Sequence, residues 1–276
     1  MTAPTSMSTA HSALLAVIDC ATATGLDVGT WQLASTLVSC FEQVSHAAEG
    51  VSADRSHDPT TQARSRRFLA HALSRVGRRV EATGILKDSL IHLRTAGDRT
   101  GQAHTHLTLA ITLSRSGDDV EALAHAQAAL ALYRDVEHRA GEGHGLNAVG
   151  WLHGQLGDHT AAFTHCGQAM DLFRKLDDRN GEAVTWDSLG YVNHRLRRYT
   201  QAGHCFRTAR ELFRSMSDQT REALTLLRLG DTLHDLGDRR ATRDAWRRAL
   251  EIFTDLDHSD AVDIRIRLAG LPRVEQ

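Results

Sequence analysis

The chain reads as an all-α protein, a solenoid of stacked antiparallel helix hairpins, and three observations predict this. The sequence lines up on itself without gaps at a period of 40 residues. Each copy holds two stretches of apolar helical periodicity with turn residues between them. Prolines stand only at Pro4, Pro59 and Pro272, so the stretch between the last two contains no proline to break a helix.

Residues 1–60 read as a degenerate hairpin and loop. Ser6 to Thr24 and Gly29 to Ala47 both show helical periodicity, with Trp31, Leu33, Leu37, Val38 and Phe41 on the second stretch. Glu49 to Thr60, with Gly50, Asp54, Asp58 and Pro59, is polar and turn-forming, and so reads as a connecting loop.

Residues 61–260 hold five copies, 61–100, 101–140, 141–180, 181–220 and 221–260. One column runs Leu69, Leu109, Val149, Leu189 and Leu229, followed by a small residue in every copy: Ala70, Ala110, Gly150, Gly190 and Gly230. Further columns are Ala82, Ala122, Ala162 and Ala202, broken by Thr242, then Leu93, Tyr133, Phe173, Phe213 and Phe253. Each copy ends on an apolar residue, Ala96, Val136, Leu176, Met216 or Leu256. All of these read as packing positions.

The turns are legible too. Gly77, Gly117, Gly157 and Gly237 share a column where glycine closes a helix in the left-handed conformation, and the fourth copy has Arg197 there. Asp118, Asp158 and Asp238 follow, suited to accept a backbone hydrogen bond at the start of the second helix; Asp118 with Glu121 has capping-box spacing. In the third copy the pattern places helices over Glu142–Leu156 and Thr160–Leu176, with Asp177 to Asn180 as the link. The second of these carries Phe163, Cys166, Ala169, Met170 and Phe173 at helical spacing. Residues 261–276 read as a capping helix and tail, Asp260 to Leu268 being the opening helix of a further copy cut short by Gly270 and Pro272. No such hairpin can bury its apolar face alone, so neighbours must stack.

The order Trp186, Leu189-Gly190, Tyr199, Ala202, Phe206, Ala209 resembles the tetratricopeptide repeat (TPR) pattern W-x2-L-G, then tyrosine, then A-x3-F-x2-A. The first two copies depart from it, with Arg66 and His106 at the tryptophan column, and the helix-ending proline is missing throughout. The resemblance implies a right-handed superhelix with a groove for peptide or protein segments. The wording "GTWQLASTLVSCFEQ" from Gly29, with the later "LFRKLDDRNGEA" units, further resembles the C-terminal TPR region of actinobacterial antibiotic-regulatory-type transcriptional regulators. In that family the array follows a winged-helix DNA-binding part and an NB-ARC ATPase. This implies a cytoplasmic sensor or interaction segment. With neither GxxxxGK[ST] nor a basic recognition helix here, the ATPase and DNA-binding activities are not carried over.

A net charge of −2, from 32 basic and 34 acidic residues, disfavours direct nucleic-acid binding and an anionic membrane as partner. The longest early apolar run, Ala13 to Ile18, lacks a preceding basic segment and the length to span a bilayer. Cys20, Cys40, Cys166 and Cys205 have no CxxC spacing and read as buried small hydrophobes in a reducing compartment, the cytoplasm.

No constellation supports catalysis, a cofactor or a metal. The spacing of His104 with His106, and of His153 with His159, puts neither pair on one helix face, and His194 and His204 fall on different helices. Ser188 and Ser215 sit within helices with no G-x-S-x-G turn. Arg195, Arg197 and Arg198, with Arg239 and Arg240, read as solvated charge at hairpin turns. The groove remains as the candidate site. Its stripe on the first helices gives Asn147, Trp151 and Gln155, then Asp187, Tyr191, His194 and Arg195; Arg67, His71, Arg75, Leu107, Ile111 and Arg115 are the equivalents in the first two copies. Rings would bury a peptide's side chains while Asn147 and Asp187 bond its backbone. The competing reading is that Trp151 and Tyr191 fill gaps between neighbouring helices. The function expected is a non-catalytic peptide- or protein-binding module of a transcriptional regulatory system. The alternative is a scaffold that self-associates through its outer face, with the groove empty.

Overall fold

A computed structural model describes residues 66–67, 69–71, 73–74, 78–256 and 260–271. The hairpin and loop expected over residues 1–60, together with Arg75, Gly77 and Pro272, lie outside these residues. Ten helices are defined among them: α1 (Arg79–Thr95), α2 (Arg99–Arg115), α3 (Asp119–Asp135), α4 (Arg139–Gln155), α5 (His159–Lys175), α6 (Arg179–Arg195), α7 (Tyr199–Ser215), α8 (Gln219–Leu236), α9 (Arg239–Asp255) and α10 (Asp260–Gly270). None of the described helices is long and apolar enough to cross a membrane.

The chain divides into two compact units, Met1–Asp118 and Asp119–Gln276. In the first, α1 packs on α2, and Ala82, Leu86, Leu90 and Leu109 form a core with Ala70 and Leu73. In the second, each helix from α3 to α10 packs on the next in the chain, and α4, α6 and α8 also touch in turn. Within the second unit this is the stacking of antiparallel hairpins that the period requires.

The helices start earlier than the periodicity suggests, because the caps lie further upstream. Asp98, His138, Asp178 and Asp218 accept hydrogen bonds from the amides of Gly101, Gly141, Gly181 and Arg221 at 2.7 to 3.0 Å. Consequently Arg179 and Asn180, expected in the link, belong to α6. Asp158 and Asp238 cap α5 and α9 as expected, through Ala161 and Ala241. A left-handed residue closes each of the turns between α1 and α9. Gly117, Gly157 and Gly237 hold φ of 84°, 87° and 89°, and Arg197 holds 58° in their column. Between hairpins the same conformation falls to Gly97 and to the non-glycine residues Glu137, Asp177 and Ser217. Each non-glycine there carries a steric cost of about 1–2 kcal/mol that the surrounding stack sustains.

Most packing columns are buried, including Leu109, Val149 and Leu229 in one and Leu93, Tyr133, Phe173, Phe213 and Phe253 in another. Leu69 departs from its column by being exposed, and Leu189 is only partly buried. Of the apolar residues ending each copy, Ala96 and Leu176 are exposed, and Val136, Met216 and Leu256 are half-buried, with Met216 and Leu256 packed against core clusters. Ala96, Leu176, Met216 and Leu256 sit at the helix C-caps.

Candidate peptide-binding face

α4, α6 and α8 are the first helices of consecutive hairpins, and residues four apart on each share one face. Asn147, Trp151 and Gln155 therefore line α4, and Asp187, Tyr191 and Arg195 line α6. The structure brings these two sets together. The Trp151 and Tyr191 rings lie 4.4 Å apart between centroids at 38°, and the Tyr191 hydroxyl donates to Gln155 Oε1. Burial pushes the Tyr191 phenol above its ordinary range, partly opposed by Arg195.

The next helix supplies partners that the sequence reading did not include. Arg228 on α8 forms an ion pair with Asp187, and its guanidinium stands 5.3 Å from the Trp151 ring centroid. Thr225 Oγ1 donates to Asp187 at 3.3 Å. One arginine thus braces three successive first helices. Burial nonetheless pushes the Asp187 carboxyl above the usual carboxylate range, against the pull of Arg228, Thr225 and Arg221. His194 shares a hydrogen bond of 3.0 Å with Thr232 and lies 3.5 Å from Asp235. Arg228, Thr232 and Asp235 come 38 to 41 residues after Asp187 and His194, so their only sequence signal was the period itself.

Asn147 differs from its counterpart Asp187. It is 7% exposed, and its Oδ1 is buried with no hydrogen-bond partner. A buried acceptor left unmet costs about 1–3 kcal/mol. Arg195 is exposed. Of the equivalents in the first unit, Ile111 and Arg115 are exposed and Leu107 is half-buried. His153 stacks on His165, not on His159, at 5.4 Å and 12°. Among the described residues no group of three or more His, Cys, Asp or Glu is placed to hold a metal ion.

The comparisons agree with this architecture. Residues 145–215 match the family model for the tetratricopeptide repeat. No curated protein matches the chain. Among solved structures it is similar to a Rap protein complexed with Competence and Sporulation Factor, at 14% identity and a TM-score of 0.70, over 96% of this chain and 82% of that one. It is also similar to BtubC (BKLC) from P. vanneervenii, at 17% identity and a TM-score of 0.56, over 88% and 92%. A third is a Signal Transduction ATPase with Numerous Domains from Pyrococcus horikoshii that carries a tetratricopeptide repeat sensor, at 16% identity and a TM-score of 0.58. There the match covers 79% of this chain and only 34% of the larger protein. At these identities the likeness is one of fold: a TPR solenoid, the architecture of protein-interaction modules.

Proposed function

We propose that the protein is a non-catalytic module that receives an extended peptide or protein segment on the shared face of α4 and α6, as the sensor or interaction part of a transcriptional regulatory system in the cytoplasm. The observation that carries this reading is the half-buried Trp151–Tyr191 ring pair, which spans α4 and α6 with polar side chains around it. A peptide side chain would cover the rings while its backbone bonds the polar groups beside them. Gln155, His194 and Arg195 form the polar border, and Asp187 positions Arg228 over Trp151. The fold-level likeness to a Rap protein solved with a signalling factor, and to an ATPase bearing a TPR sensor, supports the same reading. Occupancy would act by favouring one spacing of α4, α6 and α8 over another.

A library of random peptides of about seven residues, displayed and selected on the purified chain, tests this directly. We expect micromolar binders, each weakened by about tenfold or more in Asn147→Leu and in Trp151→Ala, with helicity unchanged. A selection that yields nothing, or binders indifferent to both substitutions, overturns the assignment. Because Leu227 holds the Asn147 column one step beyond Asp187, leucine there suits the helix and removes an unmet acceptor.

A further inference from the structure

We propose that the fourth hairpin carries a second, small-molecule site, a pocket of about 510 Å³ between α5, α6 and α7 that takes an amphipathic organic anion. Its apolar body lies against Trp186 and Leu189, and its acid group sits at the start of α7. Phe163, Asn193 and Cys205 complete the pocket, with Thr200, Gln201 and His204 at its edge. The volume is ordinary for a small-ligand site.

The repeat supplies its own control. At the columns of Trp186, Leu189 and Asn193 the fifth copy has Leu226, Leu229 and Leu233, all buried. The third copy has Leu146 and Val149, both buried, and then His153, whose ring stacks on His165 at the Cys205 column. In the fourth copy Trp186 and Leu189 remain only partly covered, and small or polar residues stand where the neighbours place leucine or paired rings. Columns that are buried in the adjacent copies here border a pocket open to solvent.

Asn193 gives the space its polarity. The residue is 7% exposed, and its Nδ2 donates to Leu189 O at 2.8 Å and points at Cys205 Sγ at 4.0 Å. Its Oδ1 accepts no hydrogen bond from the described residues, so an N–H or O–H donor on the ligand would complete it. The Trp186 ring meets His204 edge-on at 5.9 Å, which leaves an aromatic wall for an apolar body. Burial pushes the Cys205 thiol up to about 11, so it lines the pocket as a neutral, apolar group.

The acid end is set by a second departure in the same copy. Asp158 and Asp238 occupy the first amides of α5 and α9, but Arg198 fills that column before α7 and offers no side-chain acceptor. The Gln201 amide, equivalent to those of Ala161 and Ala241, therefore lacks the side-chain oxygen its counterparts have. It lies at the positive end of the helix dipole. Arg198 also reaches back to stand 6.0 Å from the Phe163 ring centroid, at the pocket wall. Replacing an acidic cap by a cation, beside an unfilled apolar space with an open acceptor, defines an anion with an apolar body and a donor. The pocket is on the other side of α6 from Asp187, Tyr191 and Arg195 and does not depend on the peptide-binding reading.

The probe is 8-anilinonaphthalene-1-sulfonate, which joins aromatic rings, one N–H and one anionic group; its neutral counterpart is N-phenyl-1-naphthylamine. Titrated into the full chain, the sulfonate should bind saturably at one site, with transfer from tryptophan emission. Asn193→Leu, which installs the fifth copy's residue, should weaken both probes by at least about tenfold. Arg198→Asp installs the cap used by the third and fifth copies. It should weaken the anion by a similar factor and leave the neutral probe within about twofold. Trp151→Ala should change neither affinity, and circular dichroism should be the same for all variants. The proposal fails if the folded chain shows no saturable binding, if both pocket variants bind as the parent does, or if only Trp151→Ala loses the probe.

Discussion

The fourth and fifth hairpins are built on one template and use it differently. In the fifth, Leu226, Leu229 and Leu233 close the interior of α8 and α9, Trp246 packs under Gly230, and Asp238 caps the second helix. In the fourth, Phe206 packs under Gly190 in the same way, but the flanking columns hold Trp186, Leu189 and Asn193, and the cap is Arg198. The shared part is the close approach of an aromatic to a glycine, which fixes how tightly the two helices meet. The differing part lies at the hairpin's outer rim and at the turn. A repeat protein can vary the rim without losing the stack, because each hairpin's register is already set by its neighbours.

The largest effect should come from breaking what the two hairpins share. Phe206→Ala empties a fully buried site and should cost about 3–5 kcal/mol in urea unfolding, with Trp246→Ala in the same range. If Phe206→Ala leaves the midpoint unchanged, the common core is misassigned. Next comes the tie between the hairpins. Asp187→Ala leaves Arg228 without its carboxylate and should cost about 1–3 kcal/mol, with a coupling of similar size in a double-mutant cycle with Arg228→Ala. A coupling near zero would mean that Thr225 and Trp151 hold the brace without the ion pair.

A pH series separates the buried third hairpin from the open fourth. Burial pushes the Cys166 thiol up to about 12 and the Cys205 thiol up to about 11, from an ordinary value of 9.0. The folded chain keeps these protons where the unfolded chain loses them. The stability they contribute is therefore complete below about pH 9 and falls as pH rises towards the folded values, by about 1.4 kcal/mol per unit for each group. By ~pH 10.5 the Cys166→Ala variant should have lost about 2 kcal/mol less than the parent, relative to each protein at neutral pH. Cys205→Ala should show the same sign with an earlier plateau. Equal slopes for parent and Cys166→Ala would place that thiol in water. The smallest effect concerns the caps: Asp238→Ala should cost about 1 kcal/mol and Arg198→Asp should gain up to about that much, read as shifts in the thermal midpoint. A loss on Arg198→Asp would show that the arginine stabilises its turn.

The helices and their spacing were legible because apolar periodicity and turn glycines are local signals, and the repeat presented them several times over. The helix starts were misplaced by a few residues because the pattern of apolar positions begins after the cap. The D-x-x-G spacing at Asp98–Gly101 and Asp178–Gly181 was the signal that marks them. Of the candidate face, the stripe Asn147, Trp151, Asp187 and Tyr191 followed from helical spacing. Arg228 did not, because its partners are one and two hairpins away, and helix-to-helix offset decides which charge reaches which ring.

What the sequence by itself determined is the unit: two helices, where they turn, and which columns must be covered by a neighbour. Those are consequences of backbone conformation and apolar area, which each stretch of chain carries with it. The three-dimensional packing alone decided which polar groups find partners. Asp187 meets Arg228 and Thr225 while Asn147, in the same column one hairpin earlier, meets none. Hydrogen bonds and ion pairs depend on distances of a few tenths of an ångström between helices that the sequence places only to within a turn.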